Sequence, residues 1–187
     1  MTREYYYFAA SLPMVNFDSH PPFSVDEFLE NCQRLLVHED YLAMREALVE
    51  SCEASSCKSS TFRTVQEFYR QFTNIITVYR AGRANKDALD FIKGDLVSNA
   101  QLNEIVQQAA KQDNLYEAEK IIDQAKWNYL DGILSGHYYD FSFLLVYGLK
   151  LKILERYELL RSTKGSEIYQ EIKKIDLSNI ELRNNAV

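Results

Sequence analysis

His137 and Asp140 stand three residues apart in "GHYYD", a spacing that sets a ring nitrogen and a carboxylate on one face of a helix. Two such groups are the beginning of a metal site. A carboxylate-bridged metal bundle needs a companion Glu-x-x-His pair on a second helix, and the sequence has none. The other reading of the pair is a histidine at a helix start beside a capping carboxylate. His20 sits in a proline-rich linker and His38 at a helix start, and neither has a cysteine or serine partner placed for nucleophilic catalysis. Cys32, Cys52 and Cys57 show neither zinc-ligand nor disulfide-framework spacing, so they read as free thiols in a reducing cytoplasm. No phosphate-binding glycine loop, G-x-S-x-G or H-E-x-x-H occurs. These residues point to a protein without catalytic residues, cofactor or metal. A helical metal protein or enzyme around His137 and Asp140 is the less favoured alternative.

Side chains suited to binding are more plentiful. There are 13 tyrosines, and tyrosine, tryptophan and arginine are favoured at protein interfaces because each joins a large contact area to a polar handle. Trp127, Tyr129, Tyr138 and Tyr139 cluster in "WNYLDGILSGHYYDF", where they either pack a helix pair or form a partner surface. Arg80, Arg83 and Lys86 lie together in a chain of net charge -6. They suit the negative end of a helix, and equally an acidic partner. The acidic balance argues against nucleic-acid binding.

The elements that must position these residues read as helices. Pro13, Pro21 and Pro22 are the only prolines, which leaves the remaining chain free to form long helices. "SVDEFLENCQRLL" opens with a Ser24/Glu27 capping box and has Phe28, Leu29, Leu35 and Leu36 as its apolar face. "EDYLAMREALVES" is a second helix, with Tyr41, Leu42, Leu48 and Val49 inward. "TVQEFYRQFTNIITVYRAGR" starts at a Thr64/Glu67 box and repeats Val65, Phe68, Phe72, Ile75, Ile76 and Tyr79. "KDALDFIK" is a short helix, and "NAQLNEIVQQAAKQ" another, facing inward through Leu102, Ile105, Val106 and Ala109. In the next helix Leu115, Ala118, Ile121, Ile122, Ala125, Tyr129 and Ile133 define the apolar side. "YYDFSFLLVYGLKLKILERYELL" is buried all round in its first half, with Gly148 admitting a close neighbour. "SEIYQEIKKI" is a last short helix.

The opening "YYYFAASLPM" lacks the basic flank of a signal peptide and is read as an N-terminal plug. If helical, it turns Tyr5, Phe8, Ala9 and Leu12 to one face and is buried nearly all round; an extended form is the other option. No apolar run reaches membrane-spanning length. The fold class is therefore all-α, an irregular bundle of about eight helices by period counting. It forms one domain over 1–187, divisible into an N-terminal lobe 1–60, a helical body 61–175 and a tail 176–187.

The segment "FTNIITVYRAGRANKDALDFIKGDLVSNAQLNEIVQQAA" resembles the repeat unit of the C subunit of V/A-type ATPases, which is the d subunit of vacuolar enzymes. Asn74, Ile75, Arg80 and Arg83 match the asparagine-hydrophobic element and arginine-rich helix end of that unit. Glu119, Asp123 and Trp127 match its acidic-acidic-aromatic helix, and Asp140 and Arg156 mark a second copy of the first long helix. Phe72 and Thr73 stand where the family often has an acidic residue, and the second copy lacks the asparagine pair. The opening, "YYYFAASLPMVNFDSHPPFSVDEFLENC", resembles a narrower uncharacterised bacterial family whose genes accompany V-type ATPase genes. The resemblance implies pseudo-repeated helices and a non-catalytic central-stalk adaptor, which couples the membrane rotor ring to the central shaft during proton or sodium transport. An assembly factor or regulator of that ATPase is the alternative. The resemblance also implies a cytoplasmic location at the inner membrane, reached through the ATPase; separately, the few charges in several segments suggest self-association when the protein is isolated. Asn74, Arg80, Arg83, Lys86, Trp127, Tyr129, Tyr138 and Tyr139 become the partner-binding candidates.

Overall fold

A computed structural model describes residues 4–49 and 59–161. Among them the chain forms seven helices: α1 (Tyr6–Ser11), α2 (Val25–Leu35), α3 (His38–Leu48), α4 (Ser60–Arg83), α5 (Ala100–Ala110), α6 (Leu115–Ile133) and α7 (Phe141–Arg161). No strand occurs among the described residues; the nearest thing is an isolated antiparallel bridge between Glu4 and Asp140. Cys52, Cys57, the expected helix "SEIYQEIKKI" and the tail 176–187 lie outside the described residues.

Helix α7 is the axis. Every residue from Leu144 to Leu151 is buried, as its unbroken apolar run requires. α2 and α3 cover it on one side and α6 on another, and α5 then packs against α6 and α4. One apolar cluster surrounds α7, drawing Phe8, Phe28, Met44, Leu48, Phe62, Val65, Trp127 and Leu130 onto it. A second joins α4, α5 and α6 through Phe72, Ile75, Leu102 and Val106. The first cluster runs across the lobe boundary expected near residue 60, because α2 and α3 bury their apolar faces on α7.

Gly148 is the close approach. A Cβ there would lie 2.9 Å from both Leu48 Cδ1 and Phe28 Cε1. The glycine thus lets α2 and α3 press onto α7 together. The Ser24 cap is also as expected: Ser24 Oγ accepts from the Glu27 amide at 3.1 Å, and Glu27 Oε2 accepts from the Ser24 amide at 3.3 Å. Glu155 of α7 accepts from the Val25 amide at 2.8 Å, so this helix start is tied to the axis.

Five local expectations are corrected. First, α4 begins a full turn earlier, capped by Ser59, whose Oγ accepts from the Phe62 amide at 3.3 Å. Thr64 bonds back to the Ser60 carbonyl and Glu67 engages Arg70, so no Thr64/Glu67 box forms. Second, α2 and α3 seat Phe28, Leu36 and Leu48 inward as expected, with Leu29 and Tyr41 packed on the core, but Leu35, Leu42 and Val49 are exposed and Cys32, Met44 and Ala47 complete the inner faces in their place. Short helices with several apolar residues have more than one plausible stripe, and contact with α7 decides which one is used. Third, "KDALDFIK" is a turn, not a helix. Asn85 takes a positive φ of 52°, Asp87 Oδ1 accepts from the Leu89 amide, and the Lys93 amide bonds to a side chain of α4. Side-chain acceptors have replaced the helical ladder there.

Fourth, α6 buries Asp123, Trp127 and Leu130, while Leu115 is 66% exposed. The helix is sandwiched, so the expected stripe through Ile122 and Ala125 serves the second cluster and a different stripe meets α7. Fifth, the opening is a helix with Phe8 and Ala9 buried, and Tyr5 and Leu12 pack on the core as expected. Its outer face is open, however, with Tyr7 96% exposed, so it lies on the bundle rather than inside it. The Tyr5 amide donates to the Tyr139 carbonyl at 2.5 Å, and the Tyr147 hydroxyl donates to the Pro13 carbonyl at 3.0 Å, holding the segment at both ends.

Two glycines test this packing. Gly148→Val should lower the unfolding free energy by about 2 kcal/mol or more through overpacking against Leu48 and Phe28. Gly132→Ala, where a Cβ meets nothing within 4 Å, should raise it by up to about 1 kcal/mol through helix propensity. Denaturant melts of both variants check the pair.

Candidate functional site

Three of the sequence-marked residues converge where α4, α6 and α7 meet. Asp123, 1% exposed, is the buried charge at this junction. Lys126 donates to its Oδ1 at 2.8 Å, and Arg156 of α7 donates to its Oδ2. The same guanidinium donates to Glu119 Oε2 at 2.9 Å, so one arginine spans a helical turn of α6. A lone buried carboxylate would be strongly disfavoured, and two cations make this one tolerable. Burial works against the charge on Arg156, but Asp123 and Glu119 outweigh it and hold its pKa above the ordinary value. Burial, with Asp123 nearby, pushes the hydroxyls of Tyr69 and Tyr157 well above the usual tyrosine range.

Asn74, on α4, is 2% exposed and serves a different purpose. Its amide donates to the Lys93 carbonyl at 2.9 Å and accepts from the Lys93 amide at 3.0 Å. Arg70, one turn earlier, donates to the same carbonyl at 2.6 Å. Gly94 follows with a φ of +66°, and a Cβ on it would sit 2.0 Å from the Arg70 guanidinium. Asn74 and Arg70 therefore clamp the connection between α4 and α5. The clamp and the Asp123 knot border one groove of about 730 Å³, which Lys152 also lines.

The remaining candidates divide by exposure. Arg80, Arg83 and Lys86 are exposed at the end of α4 and make no ion pair among the described residues. Tyr138 and Tyr139 are 68% and 44% exposed, and the Tyr139 ring lies 4.8 Å from that of Tyr6. With Tyr7 these rings form an exposed aromatic patch. Trp127 is buried, with Lys150 Nζ 4.8 Å above its ring and Phe17 edge-on at 5.5 Å. Tyr129 stacks on Phe68 at 3.6 Å. Trp127 and Asn74 are thus corrected from partner-facing candidates to buried ones, the first packing helices and the second clamping a loop, whereas Tyr129 is half-buried and still lines a groove between α4, α5 and α6.

His137 Nδ1 lies 2.5 Å from Asp140 Oδ2, while Asp140 Oδ1 accepts from the Phe143 amide at 3.0 Å. This is the arrangement of a histidine beside a capping carboxylate. Among the described residues no group of three or more histidines, cysteines and carboxylates is placed to hold a metal ion. No described helix is long and apolar enough to cross a membrane. Cys32 is a buried thiol whose pKa burial pushes up to about 12.

Sequence reading missed the exposed side of α1 and the apolar side chains on the clamped loop. Tyr6 and Tyr7 looked like core because nothing in a six-residue helix says which face is covered. The partnership of Arg156 with Asp123 was foreshadowed only in that both residues carried the resemblance.

A family model described as "Protein of unknown function (DUF2764)" matches residues 83–177, just over half of the chain, and the chain belongs to that family. The match takes in α5, α6, α7 and the clamped connection; the opening and α2 lie outside it. No curated protein and no solved structure matches the chain.

Asn74→Leu should cost about 1–3 kcal/mol, since it strands the Lys93 backbone groups. Hydrogen exchange at the Lys93 amide should quicken more than exchange in α7. High pH should also weaken the fold. Tyr69, Tyr147 and Tyr157 have folded pKa values raised above 10, that of Tyr147 to about 12, burial being the main cause. Their stabilising effect is complete below about pH 10, and it falls away above that as the unfolded chain ionises first. Denaturant midpoints measured from pH 9 upward should decline, and less so in Tyr69→Phe.

Proposed function

We propose that this member of the DUF2764 family is a non-catalytic central-stalk adaptor of a bacterial V/A-type ATPase, coupling the membrane rotor ring to the central shaft. The observation that carries the reading is the convergence of Asn74, Asp123 and Arg156. These residues bear the resemblance to the C subunit of such ATPases, are scattered over three helices, and border one groove. An adaptor that passes torque must resist shear between its helices. A charge knot between α6 and α7 and an amide clamp on α4 are cross-links of that kind. Ion transport then belongs to the assembly, and this chain supplies rigid surfaces to it.

Two exposed surfaces are available for docking. Arg80, Arg83 and Lys86 offer a basic contact to an acidic partner, and Tyr6, Tyr7, Tyr138 and Tyr139 offer an aromatic one. Contact with the membrane, on this reading, is made through the ATPase. A transient assembly factor or regulator would use the same surfaces, and stoichiometry separates the two roles.

Purification of the intact rotary ATPase through a tagged protein of its catalytic head should bring this chain down in fixed ratio to the shaft components. An intact, active complex lacking the chain would overturn the reading, and recovery only with incomplete complexes would favour the assembly factor. Arg80→Glu combined with Arg83→Glu should reduce retention at least tenfold while leaving the melting temperature unchanged. Unaltered retention would remove the basic patch as a docking site.

A further inference from the structure

The connection between α4 and α5 carries four large apolar side chains in the open. Leu89 is 70% exposed, Phe91 55%, Leu96 48% and Val97 45%. Such a cluster is unusual on a solvent-facing loop and marks an interaction site. Nor is the loop slack. Asn74 and Arg70 fix Lys93, Gly94 adopts a backbone only glycine accepts readily, and Asp87 closes a turn onto the Leu89 amide. A loop held this firmly loses little conformational freedom on binding. Its tip, from Asp87 to Phe91, presents the carboxylates of Asp87 and Asp90 beside Leu89 and Phe91 and holds no cation.

The neighbouring groove has the opposite character. Its lining includes the apolar Leu149 and Ile153 and the cationic Lys126, Lys152 and Arg156. Asp123 and Glu119 already engage Lys126 and Arg156, whereas the bond found for Lys152 is donation to the Leu48 carbonyl at 2.7 Å. Lys152 therefore brings a charge that no carboxylate among the described residues offsets. Lys93 and Gly94 of the loop line this same groove, so donor loop and acceptor groove adjoin on one face.

We propose that the loop of residues 84–99 docks into the groove of a second copy of this chain, each copy accepting the other's loop. A two-fold axis beside Lys93 satisfies both loops and both grooves at once, which is the self-complementarity an isologous dimer requires. Phe91 and Leu89 cover the apolar part of the partner groove, and Asp90 meets Lys152. The inference is independent of the ATPase reading, since it concerns the isolated chain.

The test is sedimentation velocity and native mass spectrometry on the full chain and two charge reversals, Asp90→Lys and Lys152→Glu. Wild type should dimerise reversibly in the micromolar range, and Phe91→Ser should be monomeric there. Each reversal alone should weaken the dimer at least tenfold. An equimolar mixture of the two should recover a heterodimer, because the reversed loop of one then meets the reversed groove of the other. A wild type that stays monomeric, reversals that dimerise like wild type, or a mixture that fails to recover would each overturn the proposal. Both reversals are at exposed positions, and melting temperatures near wild type establish that a lost dimer is not lost folding. Co-purification with a rotary complex has no bearing on any of these outcomes.

Discussion

The structure depends on one constraint: the central part of α7 has no face that tolerates water. From Leu144 to Leu151 every side of the helix must be covered, which two packed helices cannot do. α2, α3, α6 and the opening segment are recruited to that task. Their geometry follows from what α7 offers each of them. Gly148 supplies a hollow for Leu48 and Phe28, and Tyr147 supplies a hydroxyl for the chain at Pro13. Lys150 is the exception that clarifies the rule. Its ammonium is accepted inside the wall because Asp131 pairs with it and the Trp127 ring lies beneath it. Burial of its long stem then adds to the seal around the axis.

Apolar burial alone does not fix how α6 sits on α7. Leucine-rich surfaces slide past one another at small energetic cost, and alternative packings differ little. The Asp123 knot removes that freedom. A carboxylate 1% exposed must keep its cations, so any shift that separates Asp123 from Arg156 carries a desolvation penalty of roughly several kcal/mol. The knot adds little net stability compared with a well-packed apolar substitute, and its contribution is to specify register. Arg156 reinforces this by also reaching Glu119, one turn along α6.

What the sequence made legible follows from this division. The stripe of α4 was readable because its apolar spacing persists over several turns, and that of α5, though short, because Leu102, Val106 and Ala109 define one face. The all-round burial of α7 was readable because an unbroken apolar run admits no other arrangement, and Gly148 within it pointed to a close neighbour. Faces of α2 and α3 were readable in part: Phe28, Leu36 and Leu48 lie inward as their spacing suggests, whereas the edges of each stripe, at Leu35, Leu42 and Val49, are decided by the seat on α7. The turn at "KDALDFIK" was hidden for a different reason. Its composition suits a helix, and the decisive partner, Asn74, lies 19 residues from Lys93. Asp123 was hidden because a carboxylate counts as outward in any periodicity argument until its cation is known. Of the candidate residues, Arg80, Arg83, Lys86, Tyr138 and Tyr139 lie exposed, Asn74 and Trp127 are buried, and Tyr129 is half-buried.

Asn74 makes the sharpest distinction between stability and function. A buried amide is costly unless fully bonded, and here its bonds go to a loop rather than to another helix. The loop in turn buries little of its own apolar surface, with Leu89 and Phe91 facing outward. If the clamp served the fold alone, a shorter polar turn between α4 and α5 would leave no buried amide to satisfy and no apolar side chain in water. The chain instead keeps both features in one place. A preordered apolar loop is useful to a molecule that must present it. The aromatic patch is ordered differently: its Tyr6, Tyr7 and Tyr138 rings stand open, while the Tyr5–Tyr139 backbone bond and the buried Phe8 and Ala9 seat α1 on the core.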